Sequence, residues 1–174
     1  MPRSNQRVYL DTTVILDVIE GRRKESSSLL RVIKRQEIYC CTSTFALCEC
    51  IDKEQEFIHI GKMCKRKFSF DDIARNRRQK ELNQPERMIA VHKVEDFFRK
   101  YPVEIVTIEK DAWERTLKML ADLNVSACDA IQIATAKESK CHIFVSNDGK
   151  LGKEAKKKLR WLKAEEALRE LATA

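Results

Sequence analysis

The chain reads as an α/β protein built on a parallel sheet, and three observations say so. Short, nearly continuous apolar runs recur along the 174 residues. Longer stretches with helical periodicity separate them. Only four glycines are present, and few turns beside many Lys, Glu, Leu and Ala residues point to a helix-rich domain. Apolar runs alternating with helices indicate strands covered on both faces and joined by right-handed crossovers.

In chain order, strands are expected at Arg7–Leu10, Glu37–Cys41, Val103–Ile108, His142–Ser146 and Arg160–Leu162. Helices are expected at Thr13–Ile19, Ser27–Arg35, Ser43–Phe57, Glu86–Lys100, Ala112–Leu123, Ala127–Ser139 and Glu165–Leu171. The Lys62–Pro85 window has no clear apolar period. It reads as an exposed helical or loop insertion, spanning roughly 59–85, within a single domain covering 1–174.

Composition excludes several functions. No apolar run reaches the 18 residues of a membrane span, and V-Y-L-D-T-T-V-I-L-D meets an acid too early for a signal peptide. A cytoplasmic protein is expected. Seven cysteines without a C-x-x-C pair read as free, mostly buried thiols. The three histidines have no neighbouring nucleophile, and no Gly-rich phosphate loop exists. The net charge is +7. Eight basic residues (Lys62, Lys65, Arg66, Lys67, Arg75, Arg77, Arg78, Lys80) against two acids fall between positions 62 and 80. With a second basic run, Lys150 to Lys163, they favour a polyanion such as nucleic acid, although a solvated helix face also explains either cluster.

Four acids stand in apolar surroundings: Asp11, Glu49, Asp129 and Asp148. A carboxylate there is costly unless a cation or hydrogen bonds compensate it. Asp11 and Asp148 follow strands at their carboxyl ends, where open α/β sheets bind ligands. Asp129 lies in a first helical turn, with Gln132 one turn on. Glu49 lies in a helix that begins just after the second strand. Were the four to meet, their repulsion would call for a divalent cation. Each of three also has a local explanation: Asp11 as an N-cap, Asp148 in a D-G turn, Asp129 as a partner of Ser126 in a capping-box variant. Glu49 has none, because Phe45 to Ile51 is otherwise apolar.

The order and context of these acids resemble the PIN-domain ribonuclease family. The matching motifs are Leu10-Asp11-Thr12 after a strand, Ser43 through Glu49, Ser126-Ala127-Cys128-Asp129-Ala130 running into Ile133–Ala136, and Ser146-Asn147-Asp148. The resemblance covers Val8 to about Leu162. It implies a three-layer α/β/α domain with about five parallel strands in the order 3-2-1-4-5. It also implies Mg²⁺ or Mn²⁺ held by Asp11, Glu49, Asp129 and Asp148, with Asp11 the central ligand and Thr12, Ser146 and Asn147 orienting the ligands. The implied activity is hydrolysis of RNA, with the basic insertion gripping the RNA backbone. Small VapC-like members are toxins with a cognate antitoxin as partner. A homodimer is plausible from the mixed faces of helices such as Glu86–Lys100. The chain departs from the compact toxins in its extra length, which the basic segment accounts for. Two alternatives stand beside this: a non-catalytic module of the same fold that binds RNA or protein, and a haloacid-dehalogenase-type phosphatase. Against the latter, Thr13 occupies the place of that family's second Asp.

Overall fold

The structure, a computed structural model, describes residues 6–107 and 112–173. Five strands, β1 (Arg7–Leu10), β2 (Tyr39–Ser43), β3 (Glu104–Val106), β4 (Ile143–Val145) and β5 (Arg160–Leu162), form one sheet. All neighbours are parallel, in the order β3-β2-β1-β4-β5. Among the described residues nine helices surround it: α1 (Thr12–Ile19), α2 (Lys24–Arg35), α3 (Thr44–Lys65), α4 (Phe70–Asn76), α5 (Gln84–Lys100), α6 (Ala112–Asp122), α7 (Ala127–Glu138), α8 (Gly149–Ala155) and α9 (Ala164–Thr173).

Alternation along the central strands sorts the core into two layers. Val8, Leu10, Ile143 and Val145 face α1, α2, α5 and α9, meeting Ile15, Leu30, Phe97 and Leu171. Tyr9 and Phe144 point the other way and stack with centroids 5.3 Å apart, among Met119 of α6, Ile133 of α7 and Leu151 of α8. This is a three-layer α/β/α sandwich. No helix among the described residues is long and apolar enough to cross a membrane.

Several boundaries differ from those read in the sequence, each for a physical reason. Strand β2 starts two residues late because Glu37 ends α2 with a left-handed backbone (φ 55°), and Ile38 N donates to Ile33 O across that turn at 3.1 Å. Residues 37 and 38 therefore belong to a helix-ending motif. A glycine fits that conformation without steric penalty, so Glu37→Gly should raise stability by roughly 0.5–1 kcal/mol in chemical denaturation. An unchanged or lowered midpoint would contradict this.

Helix α3 runs to Lys65 rather than stopping at Phe57. Its buried face beyond Cys50 carries Glu54, Glu56, His59 and Met63, so the apolar period fades while the helix continues. Glu54 is fully buried and takes Lys93 of α5 at 3.1 Å. Glu56 takes Lys53 and Arg77. Helix α8 stands where the sequence presents a D-G turn and a basic run. Two glycines weaken its propensity, but Leu151 and Ala155 are buried. Strand β3 is shorter than expected, and Ile108 of the expected Val103–Ile108 strand lies outside the described residues.

The 62–85 window comprises the end of α3, α4 and the start of α5. Lys62 pairs with Glu86, Arg77 with Glu56 and Lys80 with Asp52. Lys65, Arg66, Lys67, Arg75 and Arg78 are exposed and form no ion pair among the described residues. In the second basic run, Lys157, Lys158 and Arg160 are paired with Glu154, Asp122 and Glu170. Lys150, Lys153, Lys156 and Lys163 of that run form no ion pair among the described residues, so both clusters keep free positive charge.

Candidate functional site

Strand β1 ends at the middle of the sheet and delivers Asp11 to its carboxyl edge, where Asp11 N still bonds Val145 O of β4 at 3.0 Å. Asp11 is 2% exposed and caps α1. Its Oδ2 accepts from Thr13 Oγ1 (2.6 Å), Ser146 Oγ (2.7 Å) and Thr13 N (3.3 Å). Burial pushes its pKa up to about 6. The hydrogen bonds from Thr13 and Ser146 oppose that shift, and the charge of Glu49 adds to it. A carboxyl so placed is poorly compensated as an anion.

Ser43, last residue of β2, caps α3 through its bond from Ala46 N at 3.0 Å. The second turn of α3 then places Glu49 beside β1. Glu49 is half-buried, and its Oε2 accepts from Thr12 Oγ1 (2.7 Å) and from Gln132 Nε2 (3.2 Å). Gln132 Nε2 also reaches Thr12 Oγ1 at 3.2 Å. Gln132 is buried, and its Oε1 has no hydrogen-bond partner. One turn after Asp129 in the sequence, it joins Thr12 to Glu49 in the structure.

Helix α7 leads into the start of β4, so its own start lies at the carboxyl edge of the sheet. Asp129 occupies that first turn, three residues before Gln132 and on the same helix face. It completes a capping box, with Oδ2 accepting from Ser126 Oγ at 2.8 Å. Asp148 follows β4 and caps α8, its Oδ1 accepting from Lys150 N (2.7 Å) and Leu151 N (3.1 Å). Ser146 Oγ accepts from Asp148 N at 3.0 Å while bonding Asp11, so one hydroxyl orders both segments.

Asn147 is a tie between segments. It donates to Asp17 Oδ2 (2.7 Å), Ser26 Oγ (3.2 Å) and Thr13 Oγ1 (3.1 Å), and accepts from Ala164 N (3.1 Å). Asp17 was missed in the sequence. It is buried in α1 and paired with Arg22 and Arg23 at 3.2 and 3.3 Å. The criterion that singled out Asp11, an acid inside an apolar run, also applies to Asp17 in V-I-L-D-V-I.

The three caps expected as local alternatives are all formed, yet capping does not exhaust these side chains. Among the described residues each of the four acids uses one carboxylate oxygen for its hydrogen bonds. The others, Asp11 Oδ1, Glu49 Oε1, Asp129 Oδ1 and Asp148 Oδ2, accept none. No three His, Cys, Asp or Glu side chains among the described residues stand close enough to chelate a metal by themselves. Asp11 and Glu49, coupled through their charges, are hard oxygen donors beside the unpaired Gln132 Oε1. That set fits a cation such as Mg²⁺, which is bound by one or two carboxylates and keeps several waters.

Comparison with known proteins bears on the fold and the family. Chains from three solved structures share the fold. VapBC from Salmonella typhimurium bound to DNA aligns with a TM-score of 0.61 at 17% identity, covering 91% of this chain and 98% of that one. VapBC2 from Rickettsia felis, bound to a DNA fragment from their promoter, gives 0.60 at 12% over 91% and 98%. PAE2754 from Pyrobaculum aerophilum gives 0.57 at 10% over 97% of each chain. At such identities the likeness is one of fold. The curated protein sequences give no significant match. The sequence profile of the PIN domain matches residues 8–157, a span that begins at β1 and includes all four acids, and the chain belongs to the PIN-domain family.

Proposed function

We infer that the protein is a metal-dependent endoribonuclease, and the observation that carries this is the set of four unengaged carboxylate oxygens around the carboxyl edge of β1, β2 and β4. PIN domains are in general nuclease hydrolases, which supports the same reading. Asp11 and Glu49 would hold Mg²⁺ or Mn²⁺, with Asp129 and Asp148 reaching the ion through water. When bound, the ion supplies charge neutralisation at the scissile phosphate and lowers the pKa of water.

The residues of the chain do the rest. Thr13 and Ser146 hold Asp11 Oδ2 so that Oδ1 faces the ligand. Thr12 and Gln132 fix Glu49 through Oε2, leaving Oε1 free to take the metal. The unpaired Lys65, Arg66, Lys67, Arg75 and Arg78 would grip the RNA backbone, with affinity that falls as salt rises. Lys62, Arg77 and Lys80 contribute less because each already has an acid partner. The likeness to VapBC chains supports a toxin role with a cognate antitoxin, and Trp113 and Leu117, exposed on α6, suit such a partner or a homodimer. The cytoplasm is the expected compartment. The phosphatase alternative is set aside by the family match.

Purified protein incubated with single-stranded RNA should cut it with Mn²⁺ or Mg²⁺ and stop when a chelator is added. Cleavage that persists in the chelator would overturn this reading. Ser146→Ala removes the hydroxyl shared by Asp11 and Asp148, so metal affinity and cleavage should drop roughly 10- to 100-fold. Calorimetric metal titration beside the cleavage assay checks this, and an unchanged affinity would exclude the orienting role.

A further inference from the structure

A pocket in the insertion, away from the four acids, has the composition of a base-binding site. It lies between the second half of α3 and the 68–82 segment, encloses about 230 Å³, and is lined by His59, Arg66, Phe68, Asn76, Gln79 and Glu81 among others. That is below the roughly 300–1,000 Å³ of drug-sized sites and suits one ring system. His59 is 6% exposed, yet neither ring nitrogen has a hydrogen-bond partner. Buried polar nitrogens are nearly always bonded and are costly when not, so this ring is set for a partner inside the cavity.

The rest of the lining tells what kind of partner. Lys62 is occupied by Glu86 at 2.8 Å and by Glu81 O at 3.0 Å, which leaves Arg66 as the cation of the lining without an ion pair among the described residues. Asn76 donates to Asp72 O at 2.9 Å, so its Oδ1 remains an acceptor. The Gln79 amide and the Glu81 carboxylate make no hydrogen bond among the described residues. A bare phosphate wants donors alone, and Glu81 would repel it. A nucleobase presents both donors and acceptors on its edge, and a flat face. Phe68 is 45% exposed at the pocket and Phe70, two residues on, is 92% exposed. Exposed aromatics interleaved with unpaired Lys65, Lys67, Arg75 and Arg78 match the stacking platforms of single-strand binders.

We propose that this pocket seats one base of a single-stranded RNA, stacked on Phe68, with its edge met by His59, Asn76, Gln79 and Glu81 and its phosphate by Arg66. Carboxylates accept from exocyclic amino groups, so bases that carry one are preferred over uracil. The inference rests on the RNA reading above and adds a specificity subsite to it.

Fluorescent oligo(A), oligo(C) and oligo(U) of equal length, titrated by anisotropy into the intact protein with chelator present, test it without cleavage. Oligo(A) or oligo(C) should bind more tightly than oligo(U). Phe68→Ala should weaken binding roughly 5- to 150-fold, the range of one stacked base. Gln79→Ala should narrow the difference between bases. Arg66→Ala should weaken all three alike and reduce the salt slope by about one. Added oligonucleotide should also shift the His59 ring proton resonances of the unaltered protein, a readout that needs no variant. Equal binding of the three oligomers, or Phe68→Ala and Gln79→Ala that bind as wild type, would overturn the proposal. So would a mononucleotide that binds more tightly than the oligomer of its base. Wild-type protein that cuts RNA with Mn²⁺ while the pocket variants bind normally defeats this proposal alone. Wild-type protein that neither binds nor cuts RNA defeats the nuclease reading with it.

Discussion

Asp11→Asn should sharply slow RNA cleavage and, in the metal-free protein, raise stability. The first effect follows from its place at the centre of the acid set. A metal ion contributes several kcal/mol to charge stabilisation in phosphoryl chemistry, and each 1.36 kcal/mol is tenfold in rate. Loss of the charge that anchors it should cost roughly 10²- to 10³-fold. The second effect follows from burial. The folded pKa of Asp11 is about 6, against an ordinary value of 3.8. Its contribution is fully present below pH 3.8 and is lost as pH rises through about 6, because the folded state then gives up a proton it holds more tightly than the unfolded chain. At neutral pH the buried anion destabilises the metal-free protein by about 3 kcal/mol, of which Asn should recover roughly 1–3 kcal/mol while keeping an acceptor for Thr13 and Ser146. Thermal denaturation in chelator should show the variant melting higher at pH 8, with the difference shrinking toward pH 4. A variant that melts lower at pH 8, or cleaves RNA at the wild-type rate, contradicts the assignment.

The second large effect lies across β4. A Cβ on Gly152 would stand 2.0, 2.3 and 2.5 Å from Cε2, Cζ2 and Nε1 of Trp161. The same indole donates to Ser146 O at 3.1 Å. Gly152→Ala must displace the ring, so overpacking of roughly 1–3 kcal/mol is expected, with a fall in Tm of about 2–4 °C per kcal/mol for a chain of this size. Cleavage should fall too, because the displaced indole no longer steadies the segment that holds Asp11. Gly149→Ala is the control. It starts the same helix with nothing within 4 Å of its Cβ, so propensity should leave stability unchanged or slightly raised. Equal melting of the two variants would show that the Gly152–Trp161 contact carries no strain.

The layers were legible because near-continuous apolar runs alternate with helical stretches, whereas the strand order came only with the resemblance to the PIN-domain family. Asp11 and Glu49 were legible as acids that their own segments could not solvate. Two things were hidden. Helix α3 continues on the buried polar residues Glu54, Glu56 and His59, the two acids paired with Lys93 and Arg77 far along the chain, so hydropathy gives no sign of it. The caps were a different difficulty, since local geometry and ligand geometry use the same residue types. In sequence the two compete for Asp11, Asp129 and Asp148. In three dimensions each of these acids caps through one oxygen and leaves the other without a hydrogen bond among the described residues, so capping does not exclude ligation.

The bonds that shape Asp11 and Glu49 have a kinetic consequence. Ser146 reaches Asp11 across a separation of 135 residues, and Gln132 reaches Thr12 across 120. Closures of that length form late and slowly compared with local contacts. During synthesis, α1, β2 and α3 can fold while Asp11 and Glu49 still lack the hydroxyl and the amide that aim them. The nascent chain therefore carries its acids without a working arrangement until β4 has left the ribosome and docked beside β1. For an enzyme that would cut RNA, the topology itself delays activity until β4 has been made and paired.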